Sequence, residues 1–247
     1  MAGRRLLQGL TSPWSVGFSA FGLAYGGYHV WDSTQSGTKY DLHEDLAGKT
    51  YIVTGATSGI GQATAEELAK RNARVIMACR NREKCVQVRR DIVLNTRNKQ
   101  KLSKGKFELD RIDGIVHNAA MMQSERHVNK TNPVRIVFLN SNIIDRKCDL
   151  NLGDFNSEGA KKFDGYEVYK HSKLASALFS KELSERLKES NINVIVADPG
   201  RTKSNLSAQM DGQTFGMGER RTEKAVRPVL YALCDPETVD ENGLFIE

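Results

Sequence analysis

Lys49-Thr50-Tyr51-Ile52-Val53-Thr54-Gly55-Ala56-Thr57-Ser58-Gly59-Ile60-Gly61 is the stretch that decides how this chain folds. Its first half is a β-branched and aromatic run without polar alternation, the pattern of a strand buried on both faces of a parallel sheet. Its second half is rich in glycine, and the residues that follow, Ile60 to Asn72, read as a helix packing through Ala63, Ala65, Leu68 and Ala69. Glycines between a strand and a helix permit a tight turn and close approach of the backbone to a pyrophosphate. The anion then rests on the free amides and positive end of the helix. Gly55, Thr57, Ser58, Gly59, Ile60 and Gly61 are the expected phosphate-binding residues. An ordinary strand-to-helix loop is the competing reading, and the flanking strand and helix weigh against it.

Outward from this turn, Arg74-Val75-Ile76-Met77-Ala78-Cys79 supplies the second strand of a βαβ unit, the unit that a dinucleotide site needs. It ends at Arg80. An acidic residue near this position would bind the ribose hydroxyls of NAD, whereas Arg80, followed by Asn81 and Arg82, offers a guanidinium to a 2′-phosphate. NADP(H) is therefore expected in preference to NAD(H). The plainer alternative is that Arg82 and Lys84 open a solvated helix.

Three further strands are read at Ile115 to Ala120, Val134 to Leu139 and Asn193 to Ala197, and a last short one at Leu244 to Ile246. The Val134 strand delivers Ser141 at its carboxyl end, where open α/β sheets hold ligands. Tyr169-Lys170-His171-Ser172-Lys173 heads an amphipathic helix running to about Lys188. Tyr169 and Lys173 stand i, i+4 on one face, so the ammonium is expected to lie near the phenol and lower its pKa for proton exchange. Asp198-Pro199-Gly200 is a turn after the Asn193 strand. The fold class is α/β, a Rossmann-type doubly wound parallel sheet in a single domain with an N-terminal apolar segment.

These residues resemble the short-chain dehydrogenase/reductases, and within them the retinol-dehydrogenase-like and WW-domain-oxidoreductase-like members. Thr54-Gly55-x-x-x-Gly59-x-Gly61 looks like that family's cofactor loop, and Ile115-Val116-His117-Asn118-Ala119-Ala120 is similar to its Asn-Asn-Ala-Gly strand. The resemblance implies several roles. Asn118 and Ala119 lie beside the adenine ribose, and Ser141 hydrogen-bonds the reacting oxygen. Tyr169 exchanges the proton, Lys173 tunes it and binds ribose, Pro199 and Gly200 flank the nicotinamide, and Thr202 or Ser204 holds the carboxamide. It implies an alcohol and carbonyl interconversion on a small lipophilic substrate, retinoid- or steroid-like. The family carries a third strand between Arg80 and Asn118, and here none is evident. It also carries a long helix, bearing a relay Asn, in the interval that here holds only Met121 to Pro133. Asn129 is the sole candidate for that Asn, and the short interval predicts a partly open sheet face. Dimer formation, to which that helix commonly contributes, does not carry over. The second function class is a shortened, catalytically weak member acting as a nucleotide-binding or regulatory module.

Composition narrows the remaining classes. A formal charge of +6 over 247 residues is spread among acidic residues rather than gathered in a stripe, so no nucleic-acid partner is expected. The four cysteines lack zinc-site spacing and are expected to be reduced thiols, and no metal site is read. Arg4 and Arg5 precede a stretch, Pro13 to Trp31, with no charged residue. It reaches the lower limit for crossing a bilayer, roughly 17 residues, and the aromatic residues Trp14, Tyr28 and Trp31 suit the interfaces. Residues 1–31 are expected as an anchor or targeting segment, 32–46 as a linker and 47–247 as the nucleotide-binding domain. The expected location is membrane-associated, at the endoplasmic reticulum, with a mitochondrial presequence as the alternative.

Overall fold

The computed structural model describes residues 13–34, 40, 44–96, 102–103, 114–117, 134–144, 150, 152–154, 159, 164–202, 219–238 and 241–246. The chain divides into two compact units, Met1–Ser36 and Gly37–Glu247.

In the first unit, α1 (Pro13–Thr34) is a single helix of 22 residues. Phe21, Leu23, Tyr25, Tyr28 and Val30 are all more than half exposed. Among the described residues no helix is long and apolar enough to cross a membrane. The stretch expected as an anchor, residues 13–31, falls short of that measure. Length suffices, but Ser15, Ser19, Gly22, Gly26 and Gly27 dilute the apolar content below what a bilayer core demands.

The second unit is built on a seven-stranded sheet in the order β3-β2-β1-β4-β5-β6-β7, with every pairing parallel. The strands are β1 (Thr50–Thr54), β2 (Arg74–Ala78), β3 (Leu102–Ser103), β4 (Gly114–His117), β5 (Val134–Leu139), β6 (Ile192–Ala197) and β7 (Phe245–Ile246). The helices are α2 (Gly59–Lys70), α3 (Arg82–Thr96), α4 (Gly165–Arg186), α5 (Thr222–Ala225) and α6 (Arg227–Cys234). The expected α/β class is therefore what the chain adopts. Chain order runs outward from β1 in both directions, so the sheet has its switch point between β1 and β4. Register aligns Thr54 with Ala78 and Leu139 with Ala197. The glycine turn, Arg80, Ser141 and Asp198 thus leave the sheet along one carboxyl edge.

Alternation sorts the strand residues between two faces. Tyr51, Val53, Val75, Val116, Val137 and Ile195 point to one side and are essentially inaccessible, packed with Ala65 and Leu68 of α2, Ile92 of α3 and Val229 and Leu233 of α6. Each such aliphatic side chain contributes roughly 1.5–3 kcal/mol relative to exposure. On the other side Ile52, Ile76 and Ile136 are only half-buried, while α4 lies against β6 and stacks Phe179 edge-on to Phe138 at 5.8 Å.

Local chemistry sets the element ends. Asn72 takes a left-handed φ of 68° after α2, and Ala73 N donates to Leu68 O at 3.1 Å, closing the helix. Asp164 caps α4, accepting from Tyr166 N at 2.9 Å and Glu167 N at 3.3 Å. The helix therefore begins one turn before Tyr169, earlier than its amphipathic pattern suggests. Arg135, buried in β5, donates to the carbonyls of Leu233 and Asp235, satisfying the end of α6. Two expectations are corrected. A third strand exists, but as the two residues Leu102–Ser103 beside β2. Cys79 and Cys85 form a disulfide rather than reduced thiols, because the end of β2 and the second turn of α3 bring their Cα atoms to 6.1 Å; Cys234 is free and buried.

Candidate active site

The glycine turn after β1 has the backbone its sequence requires. Gly55 and Gly59 lie at φ 61° and 56°, a region that other residues enter at a cost, and Gly55 N donates to Ala78 O at 3.1 Å. Ser58 precedes α2 in extended conformation without a side-chain cap, so the first amides of the helix face the carboxyl edge of the sheet. Gly61 is buried. Thr57 and Ile60 are half-buried along the same turn. These features suit a pyrophosphate. Arg80 leaves β2 exposed at the same edge, and Asn81 caps α3 by accepting from Lys84 N at 3.0 Å.

At the far side of the switch point, β5 and β6 end together. Asn140 N donates to Ala197 O at 2.9 Å, and the Asn140 side chain accepts from Ser141 N at 2.9 Å while donating to Lys173 O at 3.3 Å. One buried amide thus ties the β5 turn to α4. Ser141 hydrogen-bonds Tyr169, the contact expected of a serine and tyrosine sharing one substrate oxygen. Burial raises the Tyr169 pKa above its ordinary value, Asp198 adds to the rise, and the Ser141 hydrogen bond opposes it.

Lys173 lies near Tyr169 as expected, and it is not among the groups that shift the phenol. Lys173 Nζ donates to Leu139 O at 3.0 Å and lies 5.5 Å from the centre of the Tyr169 ring. Burial lowers the Lys173 pKa, and Asp198 opposes that fall. The phenol is consequently a protonated acid at neutral pH.

Pro199 is buried and Gly200 half-buried, turning with φ 69° at Gly200. Thr202 Oγ1 donates to Gly200 O at 3.0 Å, and Thr202 bridges to Arg220. Arg220 closes the turn from outside, with Nη1 donating to Pro199 O at 3.2 Å. Asn118, Ala119, Asn129 and Ser204 lie outside the described residues.

A family model described as short chain dehydrogenase matches residues 49–152. Retinol dehydrogenase 13 of Mus musculus is 30% identical across 93% of this chain and 84% of its own length. The chain belongs to the short-chain dehydrogenase family. Within it the chain is retinol-dehydrogenase-like, and it is an NAD(P)-dependent oxidoreductase. Solved structures agree on the fold. A short-chain dehydrogenase from Salmonella enterica serovar Typhi superposes with a TM-score of 0.64 at 18% identity, over 84% of this chain and 98% of its own. One from Shigella flexneri, solved in complex with NADP, gives 0.62 at 18% identity over 83% and 98%.

In this short-chain dehydrogenase, Asn140, Asp198 and Arg220 shape the site without having been singled out from sequence. Asn140 and Asp198 each follow the last residue of a core strand, at the edge where this sheet class builds its sites, and that position was the available signal.

Proposed function

We propose that this dehydrogenase uses NADP(H) to interconvert a lipophilic alcohol and its carbonyl, with Tyr169 moving the proton. The hydrogen bond between Ser141 and Tyr169 at the carboxyl edge of the sheet carries this reading. The residues fit the dinucleotide. The amides opening α2 and the turn from Gly55 to Gly61 receive the pyrophosphate. Arg80, exposed beside them, meets the 2′-phosphate. When bound, the nicotinamide supplies or accepts the hydride. Pro199, Gly200 and Thr202 flank that ring in this arrangement, and Lys173 and Tyr169 share the ribose hydroxyls.

Ser141 holds the substrate oxygen, and the protonated Tyr169 phenol donates to it as the carbonyl is reduced. In the opposite direction the phenol must first lose its proton. A retinoid-like substrate is favoured by the retinol dehydrogenase relative and by the exposed apolar surface of α1, which suits contact with a membrane interface without crossing it. The test is NADPH-dependent reduction of retinaldehyde by the full chain. Tyr169→Phe is expected to lower kcat about 10²–10⁴-fold while leaving NADPH binding intact. Binding of NADPH without turnover in either protein would favour the binding-module reading instead. Carbonate extraction of cell membranes tests the surface contact, which predicts release into the supernatant.

A further inference from the structure

We propose that Asp198 is a positioning residue whose carboxylate clamps the two turns flanking the reaction centre. The inference rests on Tyr169 as the proton-exchanging group proposed above. Asp198 follows the last residue of β6 and is only 2% exposed. Both of its carboxylate oxygens are used. Oδ2 accepts from Asn142 N at 2.7 Å, in the turn that carries Ser141, and Oδ1 accepts from Gly200 N at 2.7 Å, in the Pro199-Gly200 turn. Its own amide donates to Ile246 O at 2.7 Å, fixing its backbone to β7. Two amides converging on two oxygens call for a carboxylate. An Asn would present its NH2 to one of those donors and leave it unpaired.

The charge held there acts on Tyr169 and Lys173 of α4. Toward Tyr169 the surrounding groups are Ser141 from the end of β5, Lys173 from α4 itself and Asp198 from the end of β6. Lys170 on α4 is engaged with Glu167 at 3.3 Å, and Arg220 closes the Pro199 carbonyl. Among the described residues, Asp198 is the carboxylate acting on both Tyr169 and Lys173, disfavouring the phenolate on the first and favouring the ammonium on the second. The clamp and the charge are separate roles of one side chain, and different substitutions separate them.

The experiment is an ultraviolet titration of phenolate in the full chain, taking the difference between each protein and the same protein carrying Tyr169→Phe. In Asp198→Asn the Tyr169 transition is expected at lower pH than in wild type, and the falling limb of kcat for NADPH-dependent retinaldehyde reduction is expected to move with it. In Asp198→Glu the charge remains while the added methylene displaces both acceptors. There the phenol should titrate as in wild type while kcat falls and KM for NADPH rises. An unmoved transition in folded Asp198→Asn overturns the charge role. Should Asp198→Asn fail to fold, Asp198→Glu decides alone, and wild-type kcat in it overturns the clamp. If instead Tyr169→Phe reduces retinaldehyde as fast as wild type, the catalytic assignment of Tyr169 fails. The phenolate titration still reads Asp198 in that case.

Discussion

Tyr169 illustrates how a residue's surroundings choose its chemistry. Burial removes water from the phenol, which penalises the charged form, and the Asp198 charge adds to that penalty. Among the described residues, the Ser141 hydrogen bond opposes both. A phenol whose pKa lies above the ordinary value near 10 remains protonated across the neutral range. Carbonyl reduction, which needs the proton, is therefore expected to be flat in kcat through neutral pH and to fall only in alkali. Alcohol oxidation, which needs the phenolate, is expected to climb with pH through the same range. A pair of pH profiles measured in the two directions checks this, and a reductive rate falling already at neutral pH would contradict it. Arg80 makes a second prediction at this scale. A charge-assisted hydrogen bond to a phosphate contributes about 1.5–3 kcal/mol, so Arg80→Ala should raise KM for NADPH about tenfold or more while leaving KM for NADH nearly unchanged. Equal effects on the two cofactors would show that Arg80 does not read the 2′-phosphate.

Between β2 and α3 the chain does more than connect. Arg80 and Asn81 are enclosed by the Cys79–Cys85 bond, and Asn81 caps the helix. Arg80, which we propose meets the 2′-phosphate, therefore sits on a short covalently closed loop. Non-reducing peptide mapping is expected to recover Cys79 linked to Cys85, and Cys79→Ser is expected to destabilise the domain by about 2 kcal/mol, read as a lower unfolding midpoint. A linked peptide absent from the map would return both residues to the thiol state expected from sequence. That expectation shows what elements hide in a sequence. Cysteine spacing says little about pairing, because proximity here depends on where a strand stops and a helix starts. The strands β1, β2, β5 and β6 were legible since each is a short run dominated by β-branched and apolar residues. β3 was not, since two residues beside β2 carry no periodicity. The start of α4 was misjudged because its first turn is exposed and fixed by the Asp164 cap rather than by apolar spacing. Ser141, Tyr169 and the glycine turn were legible because their chemistry requires particular residue types at fixed places. Asp198 was not, since Asp-Pro-Gly reads equally well as a plain turn until the two converging amides are seen.

Among the described residues the most deeply buried core lies on one face of the sheet, and it carries two acids that limit the range in pH, Cys234 and Tyr40. Cys234 ends α6 with 2% exposure, its thiol donating to the Tyr51 hydroxyl at 3.9 Å. Burial raises this thiol from the ordinary 9.0 to about 11. Tyr40, also buried in that core, is raised by burial as well, and Arg71, whose guanidinium lies 4.7 Å from its ring centre, opposes the shift. Both groups are neutral when protonated, and in both the fold disfavours the charged form. Between pH 9.0 and about 11 the unfolded chain releases the Cys234 proton while the folded chain keeps it. The folded state then binds more protons than the unfolded state, so stability falls as pH rises. Its contribution is complete below 9.0 and is lost as pH climbs through about 11. The unfolding midpoint of the full chain is therefore expected to drop steeply across that interval. Cys234→Ala should start from a lower midpoint at neutral pH, because a buried sulfur has been removed, yet decline less steeply in alkali. The comparison is of slopes, since the starting points differ. Parallel slopes in the two proteins would place the alkaline lability elsewhere in the core, with Tyr40 the next group to replace.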